Sequence, residues 1–180
     1  HRIARRQRQM CIRDSILFCM QKVGDASLRG KDIFSWTLDT VKDIRNYTDR
    51  KIIVRPHPLY RKKTQHAECR EAVCDYVNVE WQETDVRQKE FVSVQKQLLN
   101  AWCTVTYSSG TGIDAVINGV PNIACDTGSM VYDVSSKNVS EIEKPFRGDK
   151  KEWTNKIAHC QWSIEEFESG ECWEHVSKSI

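Results

Sequence analysis

The sequence predicts an α/β protein with a Rossmann-like parallel sheet, helices on both faces of the sheet, and a C-terminal helical tail. Three observations support this fold. Short runs of consecutive apolar residues alternate with segments whose apolar residues recur at helical spacing. The apolar runs are continuous rather than alternating with polar residues, which is typical of strands buried on both faces of a parallel sheet. From about residue 149 onward only helical patterns remain.

The composition is that of an ordinary globular domain. Of the 180 residues, 39% are hydrophobic, 29% are charged and 9% are aromatic, with 4 Pro and 8 Gly. These values exclude a collagen-like chain, a low-complexity chain and a disulfide knot. No apolar run has the length needed to cross a bilayer.

The first fourteen residues, HRIARRQRQMCIRD, have neither a helical nor a strand period. Read back into codons, residues 5–14 match a transposase-type sequencing adaptor, so we expect 1–14 to be a disordered adaptor translation and 15–180 to be the domain. A natural basic arm that binds nucleic acid is the alternative. Removing five Arg and one Asp from 27 basic and 25 acidic side chains leaves 22 and 24, a net charge of −2. We therefore expect no nucleic-acid partner, and we expect the gene to continue upstream into a missing N-terminal domain.

The eight Cys are scattered along the chain. Scattered Cys favour reduced, buried thiols in a cytoplasmic protein. A peripheral position at the inner membrane face is compatible with that location. The alternative is a metal site. Its ligands would be either His66, Cys69 and Cys74 or His159, Cys160, Cys172 and His175. Neither set has the paired short spacings of a zinc module, so we expect no metal and no cofactor.

The first apolar run, 16–20, predicts a buried strand. Asp32 then has the position of a helix N-cap. Five apolar residues follow it at helical spacing: Ile33, Phe34, Leu38, Val41 and Ile44. Residues 51–55 (KIIVR) predict a second buried strand, which ends at Pro56 and Pro58.

The middle of the chain predicts a polar helix with Thr64 as its cap, running to about residue 75, and then a weak strand at 76–79. Four apolar residues predict the next helix: Phe91, Val94, Leu98 and Ala101. Residues 103–107 (CTVTY) predict another strand.

A Gly-rich turn at 108–112 then opens a short helix through Asn118, with Gly119 as its C-terminal cap. The last strand is predicted at 122–125. The tail is predicted as two helices, 149–161 and 163–176. The second tail helix opens with a capping box, in which Ser163 and Glu166 bind each other's backbone.

The first candidate site follows the second predicted strand. In an open parallel sheet, ligands bind beyond the carboxyl ends of the strands. Two prolines hold His57 on a stiff loop at that edge, beside Arg55. An imidazole and a guanidinium there suit a phosphate or a sugar hydroxyl. A structural turn with an exposed His is the alternative.

The second candidate site is the turn 107–114 (YSSGTGID). Ser108, Ser109 and Thr111 supply hydroxyl groups, while Gly110 and Gly112 let a ligand approach the backbone. The following helix is expected to direct free N–H groups outward, which favours an anion. The Lys of a Walker loop is missing, and an ordinary turn is the alternative. Weaker candidates follow the first and last strands: Gly24, Asp25, Ser27, Asp126, Ser129, Tyr132 and Asp133.

With these loops in place, the chain resembles the C-terminal half of a GT-B glycosyltransferase of the capsular-polysaccharide biosynthesis type. It is also similar to teichoic-acid glycerophosphotransferases. The resemblance covers most of 15–176 and lies in four segments: 52–58 (IIVRPHP), 106–126 (TYSSGTGIDAVINGVPNIACD), 132–134 (YDV) and 160–176 (CQWSIEEFESGECWEHV). Only the His-Pro and Ser-Ser blocks are specific. The resemblance implies a domain that binds a nucleotide-sugar and belongs to an enzyme transferring the sugar to a glycan or another hydroxyl acceptor.

The resemblance also implies roles for single residues. His57 becomes the catalytic residue, and Asp114 supports the loop or a ribose. The implied donor-binding residues are Arg55, Ser108, Ser109, Gly110, Thr111 and Asp114. The mechanism needs no metal, since N–H groups and the His57/Arg55 pair stabilise the leaving phosphate. A base on the missing domain deprotonates the acceptor, so this chain alone is expected to be inactive. A nucleotide-sugar 2-epimerase and a non-catalytic nucleotide- or glycan-binding domain are the alternatives.

Overall fold

The computed structural model describes residues 13–59, 63–84 and 92–178. Its central feature is an all-parallel sheet in the order β3-β2-β1-β4-β5. The strands are β1 Ser15–Cys19, β2 Ile52–Arg55, β3 Val79–Trp81, β4 Ala101–Thr106 and β5 Asn122–Ala124. The predicted α/β fold with a Rossmann-like parallel sheet is confirmed.

Seven α-helices lie within the described residues. They are α1 Ile33–Arg45, α2 Lys63–Cys74, α3 Val94–Leu98, α4 Thr111–Ile117, α5 Lys151–His159, α6 Ile164–Ser169 and α7 Glu171–Ser177. The N-cap predicted for α1 is confirmed, because Asp32 Oδ2 accepts a hydrogen bond of 3.0 Å from the backbone N–H of Ser35.

The side chains of β1 alternate between two hydrophobic layers, one on each face of the sheet. Ile16 and Phe18 pack in the layer that contains the apolar residues of α1 and α2. Leu17 and Cys19 point the other way, into the layer that contains Leu98 of α3 and Ala115 of α4. Helices therefore cover both faces, and the continuous apolar run of β1 reflects burial on both sides.

Three predicted elements differ from the structure. Thr64 lies inside α2, which begins at Lys63, so Thr64 is not the helix cap. The third strand begins at Val79, because Asn78 adopts a left-handed turn (φ 61°) just before it. The helix predicted through Ala101 ends at Leu98, since Ala101 already pairs in β4. Phe91, which was assigned to that helix, lies outside the described residues.

The chain divides into two compact units, His1–Arg147 and Gly148–Ile180. The second unit contains α5, α6 and α7. The predicted capping box is present, with Ser163 and Glu166 bonded to each other's backbone N–H groups. The predicted helix 163–176 is interrupted at Gly170, whose φ of 84° ends α6 before α7 begins. The tail therefore has three helices rather than two.

The adaptor prediction concerns mostly residues outside the described ranges. Of the segment 1–14, Arg13 and Asp14 are described and exposed, and Asp14 forms an ion pair of 3.4 Å with Arg50. Across 13–59, 63–84 and 92–178, no helix combines the length and the apolar character that a bilayer crossing needs.

The seven described Cys are all free thiols. Cys19, Cys69, Cys103 and Cys172 are buried, Cys125 is half-buried, and Cys74 and Cys160 are exposed. Burial raises the pKa of the Cys69 and Cys103 thiols to about 12. The prediction of buried thiols is therefore confirmed at the four buried positions and is wrong for Cys74 and Cys160.

Candidate functional site

The strand order reverses at β1, which pairs with β2 on one side and β4 on the other. In parallel sheets the crevice at such a reversal, beyond the carboxyl ends of the strands, is where ligands bind. The segments after β1, β2, β4 and β5 leave the sheet at that edge, at 20–32, 56–59, 107–110 and 125–131. The two candidate sites of the sequence analysis lie on the second and third of these loops.

Cys19, the last residue of β1, lies between the ends of the two strands that lead to the candidate sites. It pairs in register with Arg55 at the end of β2 and with Thr106 at the end of β4. The Thr111 side chain and the Arg55 guanidinium both lie near this thiol, where they act to lower its pKa. Burial nevertheless raises the pKa of Cys19 to about 12, so the sulfur stays a neutral thiol. The fold thus brings Arg55 and Thr111 to either side of one residue.

A pair of hydroxyl groups joins the loop after β1 to the loop after β4. The Ser108 hydroxyl donates to the Ser27 hydroxyl at 3.0 Å, across 81 residues of sequence. Gln21 Nε2 donates to the same Ser27 oxygen at 3.0 Å. Asp25 Oδ1 accepts the Ser27 backbone N–H at 2.9 Å, which fixes the turn that carries Ser27. Gln21 was missed by the sequence analysis, because a lone Gln after a strand carries no motif.

The turn before α4 is bonded internally. The N–H of Thr111 donates to Ser109 Oγ at 3.3 Å, and the N–H of Gly112 donates to the Ser109 carbonyl at 2.9 Å. The Ile113 N–H donates to the Gly110 carbonyl at 2.9 Å. The expectation that these first N–H groups point free toward a ligand is therefore wrong. The polar groups that the turn offers are the half-buried hydroxyls of Ser109 and Thr111, 3.3 Å apart.

The two glycines of this turn meet different structural requirements. Gly110 is exposed, and a Cβ there would meet no atom within 4 Å, so its backbone is open to a ligand. Gly112 is buried, and a Cβ there would lie 2.9 Å from Cγ2 of Val131. The expected ligand approach therefore applies to Gly110, whereas packing against the β5 loop requires Gly112.

His57 is half-buried on the loop after β2. Its Nδ1 accepts a hydrogen bond of 3.1 Å from the backbone N–H of Leu59. Burial, helped by the nearby charge of Lys22, lowers the pKa of His57, while Asp25 acts in the opposite direction. The loop 20–32 therefore lies close to His57 on one side and is bonded to Ser108 on the other.

Arg55 is buried, with 8% of the residue exposed. Its Nη1 donates to the Val92 carbonyl at 2.8 Å and to Gln97 Oε1 of α3 at 2.6 Å. These bonds tie the end of β2 to the segment that leads into α3. The guanidinium thus has a structural function, and its predicted contact with a diphosphate stays a prediction.

Asp114 and the β5 loop complete the edge. Asp114 is half-buried in the first turn of α4, and its charge acts on the pKa of Cys19. Asp126 lies 3.8 Å from Nη2 of Arg29 on the loop after β1, and its Oδ1 accepts the Gly128 N–H at 2.8 Å. Ser129, another of the weaker candidates, is buried.

The fold and site define the class: a Rossmann-like α/β protein with serine and threonine hydroxyls on the loops at the reversal point of its sheet. Comparisons with protein-family models, with curated proteins and with solved structures find no match to this chain. Among the described residues, no group of three or more His, Cys, Asp or Glu is placed to hold a metal ion.

Proposed function

We propose that this crevice binds the diphosphate and sugar of a nucleotide-sugar, and that the chain is the donor-binding domain of a glycosyltransferase of the capsular-polysaccharide type. One observation carries the proposal. The loops after β1, β2 and β4 converge at the sheet reversal, where Ser108 is bonded to Ser27 and Cys19 lies between Arg55 and Thr111. The resemblance of the His-Pro and Ser-Ser blocks adds the substrate class.

The side chains at this edge suit phosphate oxygens. In the free protein the Ser108 hydroxyl donates to Ser27 and the Ser109 hydroxyl donates to Thr111. On binding, these hydroxyls would turn to donate to the phosphate, as the Thr111 hydroxyl would, and donors aimed at a developing negative charge stabilise a leaving phosphate. Gly110 leaves room for the ligand beside the backbone. His57 adds a ring N–H from the neighbouring loop. None of these contacts needs a metal ion.

Transfer needs a second component in this proposal. The acceptor hydroxyl loses its proton as it attacks the sugar carbon, and the bond from that carbon to the phosphate oxygen breaks. We assign the base and the acceptor pocket to a second domain of the parent enzyme, in the cytoplasm. The present chain then binds the donor and transfers nothing, because catalysis depends on holding both reactants together.

Calorimetry on the full 180-residue chain tests the proposal, with UDP, GDP, CDP and ADP and their common sugar conjugates as probes. We expect at least one nucleoside diphosphate to bind. Ser109→Ala should weaken that binding about tenfold, because a lost hydrogen bond to a charged ligand costs roughly 1.5–3 kcal/mol.

Ser177→Ala is the matched control, since Ser177 is an exposed serine on α7 of the second unit. It should bind like the wild type. Heats that are absent for every nucleotide would refute donor binding. Equal affinity of wild type and Ser109→Ala would remove the Ser-Ser turn from the site, and sugar transfer by this chain alone would refute the assignment of the base elsewhere.

A further inference from the structure

We propose that His57 acts as a neutral imidazole whose Nε2–H is the hydrogen-bond donor to a ligand oxygen, and that the backbone N–H of Leu59 is the positioning group that fixes this tautomer. The ligand part of this inference rests on the proposed function. The tautomer part concerns the protein alone.

The bond between Leu59 and the ring determines where the proton lies. The Leu59 N–H donates to Nδ1 at 3.1 Å, so Nδ1 must present a lone pair. A neutral imidazole carries one proton, which is then on Nε2. Protonation of Nδ1 would place two N–H groups against each other and break this contact. The geometry therefore favours one neutral tautomer over both the other tautomer and the cation.

The prolines on either side of His57 favour the bond between its ring and the Leu59 N–H. Pro56 and Pro58 restrict the backbone on both sides of His57. Pro58 has no N–H, so Leu59 supplies the first backbone donor after His57. Pro56 is buried while Leu59 is exposed, which anchors one end of the loop in the protein. The ring is thus held by its own loop, with its Nδ1 side turned inward to the backbone.

The charged groups near the ring, taken together, also favour its neutral form. Lys22 disfavours a second positive charge, while Asp25 favours it, and both lie on the loop after β1. Burial of the ring is the largest effect, and the pKa of His57 is lowered. Near pH 7 the ring is therefore neutral, which agrees with the bonding at Nδ1.

A neutral ring with its proton on Nε2 has a defined chemistry. It donates one hydrogen bond to a phosphate or sugar oxygen and contributes no positive charge. It offers no free lone pair at either nitrogen, so it does not act as the base that deprotonates an acceptor hydroxyl. His57 therefore holds the ligand during transfer, and no proton moves through it.

The tautomer is measured directly by ¹⁵N correlation NMR of the histidine rings in the free protein at pH 7.5. We expect an unprotonated Nδ1 and a protonated Nε2 at His57. Leu59→Pro removes the N–H and should shift the ring toward a tautomer mixture. Leu59→Ala keeps the N–H and is the control, which should retain the wild-type signals. A protonated Nδ1 in the wild type, or an unchanged ring in Leu59→Pro, would overturn the proposal.

The ligand contact is tested with two amide replacements and the same nucleoside diphosphates. The amide nitrogen of Gln reaches the position of Nε2, while that of Asn reaches the position of Nδ1. We expect His57→Gln to bind like the wild type and His57→Asn to bind about tenfold more weakly. Equal loss in both variants overturns the Nε2–H contact. If NMR finds the predicted tautomer but no nucleotide binds, the proposed function is refuted. If a nucleotide binds but NMR finds the opposite tautomer, only the present inference is refuted.

Discussion

At the scale of single residues, Asn122 shows how the first unit satisfies polar groups in its interior. Its side chain is fully buried at the start of β5. Its Oδ1 accepts from the hydroxyls of Thr104 and Thr106 at 2.7 and 3.2 Å, and its Nδ2 donates to Ser135 Oγ at 3.2 Å. The amide thereby links β4, β5 and the segment after β5.

We expect Asn122→Ala to lower the free energy of unfolding by about 2–3 kcal/mol, because Thr106 loses its acceptor and Ser135 loses a donor. Thr104 would keep only its 3.3 Å bond to the Pro121 carbonyl. Urea denaturation measures this loss. Asn118→Ala is the control, since the exposed Asn118 side chain makes one local bond to the Asp114 carbonyl. The control should change stability by less than about 0.5 kcal/mol. Equal losses in the two variants would show that the buried network contributes nothing.

The candidate site was predictable from sequence only where one residue or one turn defines it. The positions of His57 and Ser108 followed from loops that come after apolar strands. The bond between Ser108 and Ser27 was not predictable, because it joins residues 81 positions apart through the packing of two loops. The bond from Arg55 to Gln97 was not predictable for the same reason, because the two residues are 42 positions apart in the sequence.

At the scale of elements, the end of α4 depends on the backbone of Gly119. Its φ is 72°, a conformation that L-residues avoid. The Gly119 N–H donates to the Val116 carbonyl at 3.2 Å, and the Val120 N–H donates to the Ala115 carbonyl at 2.9 Å. This pair of bonds is a Schellman motif, which turns the chain out of α4 and into β5.

We expect Gly119→Ala to cost about 1–2 kcal/mol of unfolding free energy, because a Cβ is disfavoured in the left-handed region. Gly110→Ala is the matched control, since its φ is −55° and its Cβ has open space. Thermal unfolding of both variants tests the difference. A Gly119→Ala variant as stable as Gly110→Ala would contradict the backbone argument.

Elements with local signals were predicted well. The Asp32 cap, the Gly119 terminus and the Ser163–Glu166 capping box are each encoded within a few residues, and all three are present. The start of β3 was displaced by the left-handed turn at Asn78, and the end of α3 was displaced because sheet pairing decides it. Ala101 has the spacing of a helix residue, yet it pairs with Ser15 of β1.

The packing of α2 depends on a buried histidine. His66 is 5% exposed, and its ring lies edge-on against Phe34 of α1 and Trp81 of β3, with centroids 5.0 and 6.0 Å away. Burial lowers the pKa of His66 below its ordinary 6.5. As the pH falls through about 6.5, His66 becomes protonated in the unfolded chain before it does so in the folded protein. The unfolded state therefore binds more protons than the folded state below that pH.

We expect stability to be fully present above about pH 6.5 and to fall as the pH drops below it toward the folded pKa of His66. His57, whose pKa is lowered too, contributes in the same direction. Urea midpoints between pH 7.5 and 5.5 measure the slope, which should be smaller in His66→Gln. Asn118→Ala removes an exposed side chain that does not titrate and should keep the wild-type slope. A slope that is the same in all three proteins would exclude His66 as its source.

At the scale of the whole molecule, the two edges of the sheet are built differently. The β5 edge is fully buried and continues into a hydrogen-bonded bridge, in which Ala124 N–H donates to the Ser136 carbonyl at 2.9 Å and Ser136 N–H donates to the Asn122 carbonyl at 3.0 Å. The β3 edge has three residues, none of them buried. β1 lies between these edges, with Ile16 and Phe18 fully buried and strands on both sides.

Amide hydrogen exchange should follow this asymmetry. We expect the amides of β1 and β4 to exchange slowest, near the rate set by global unfolding, because opening them requires both hydrophobic layers to separate. Amides of β5 should be nearly as slow, whereas those of Val79–Trp81 should exchange at least about tenfold faster, because a half-exposed edge opens locally. Residue-resolved exchange on one sample measures all strands together, so each strand is a control for the others. Protection of β3 equal to that of β1 would mean that the two edges open only with the whole sheet.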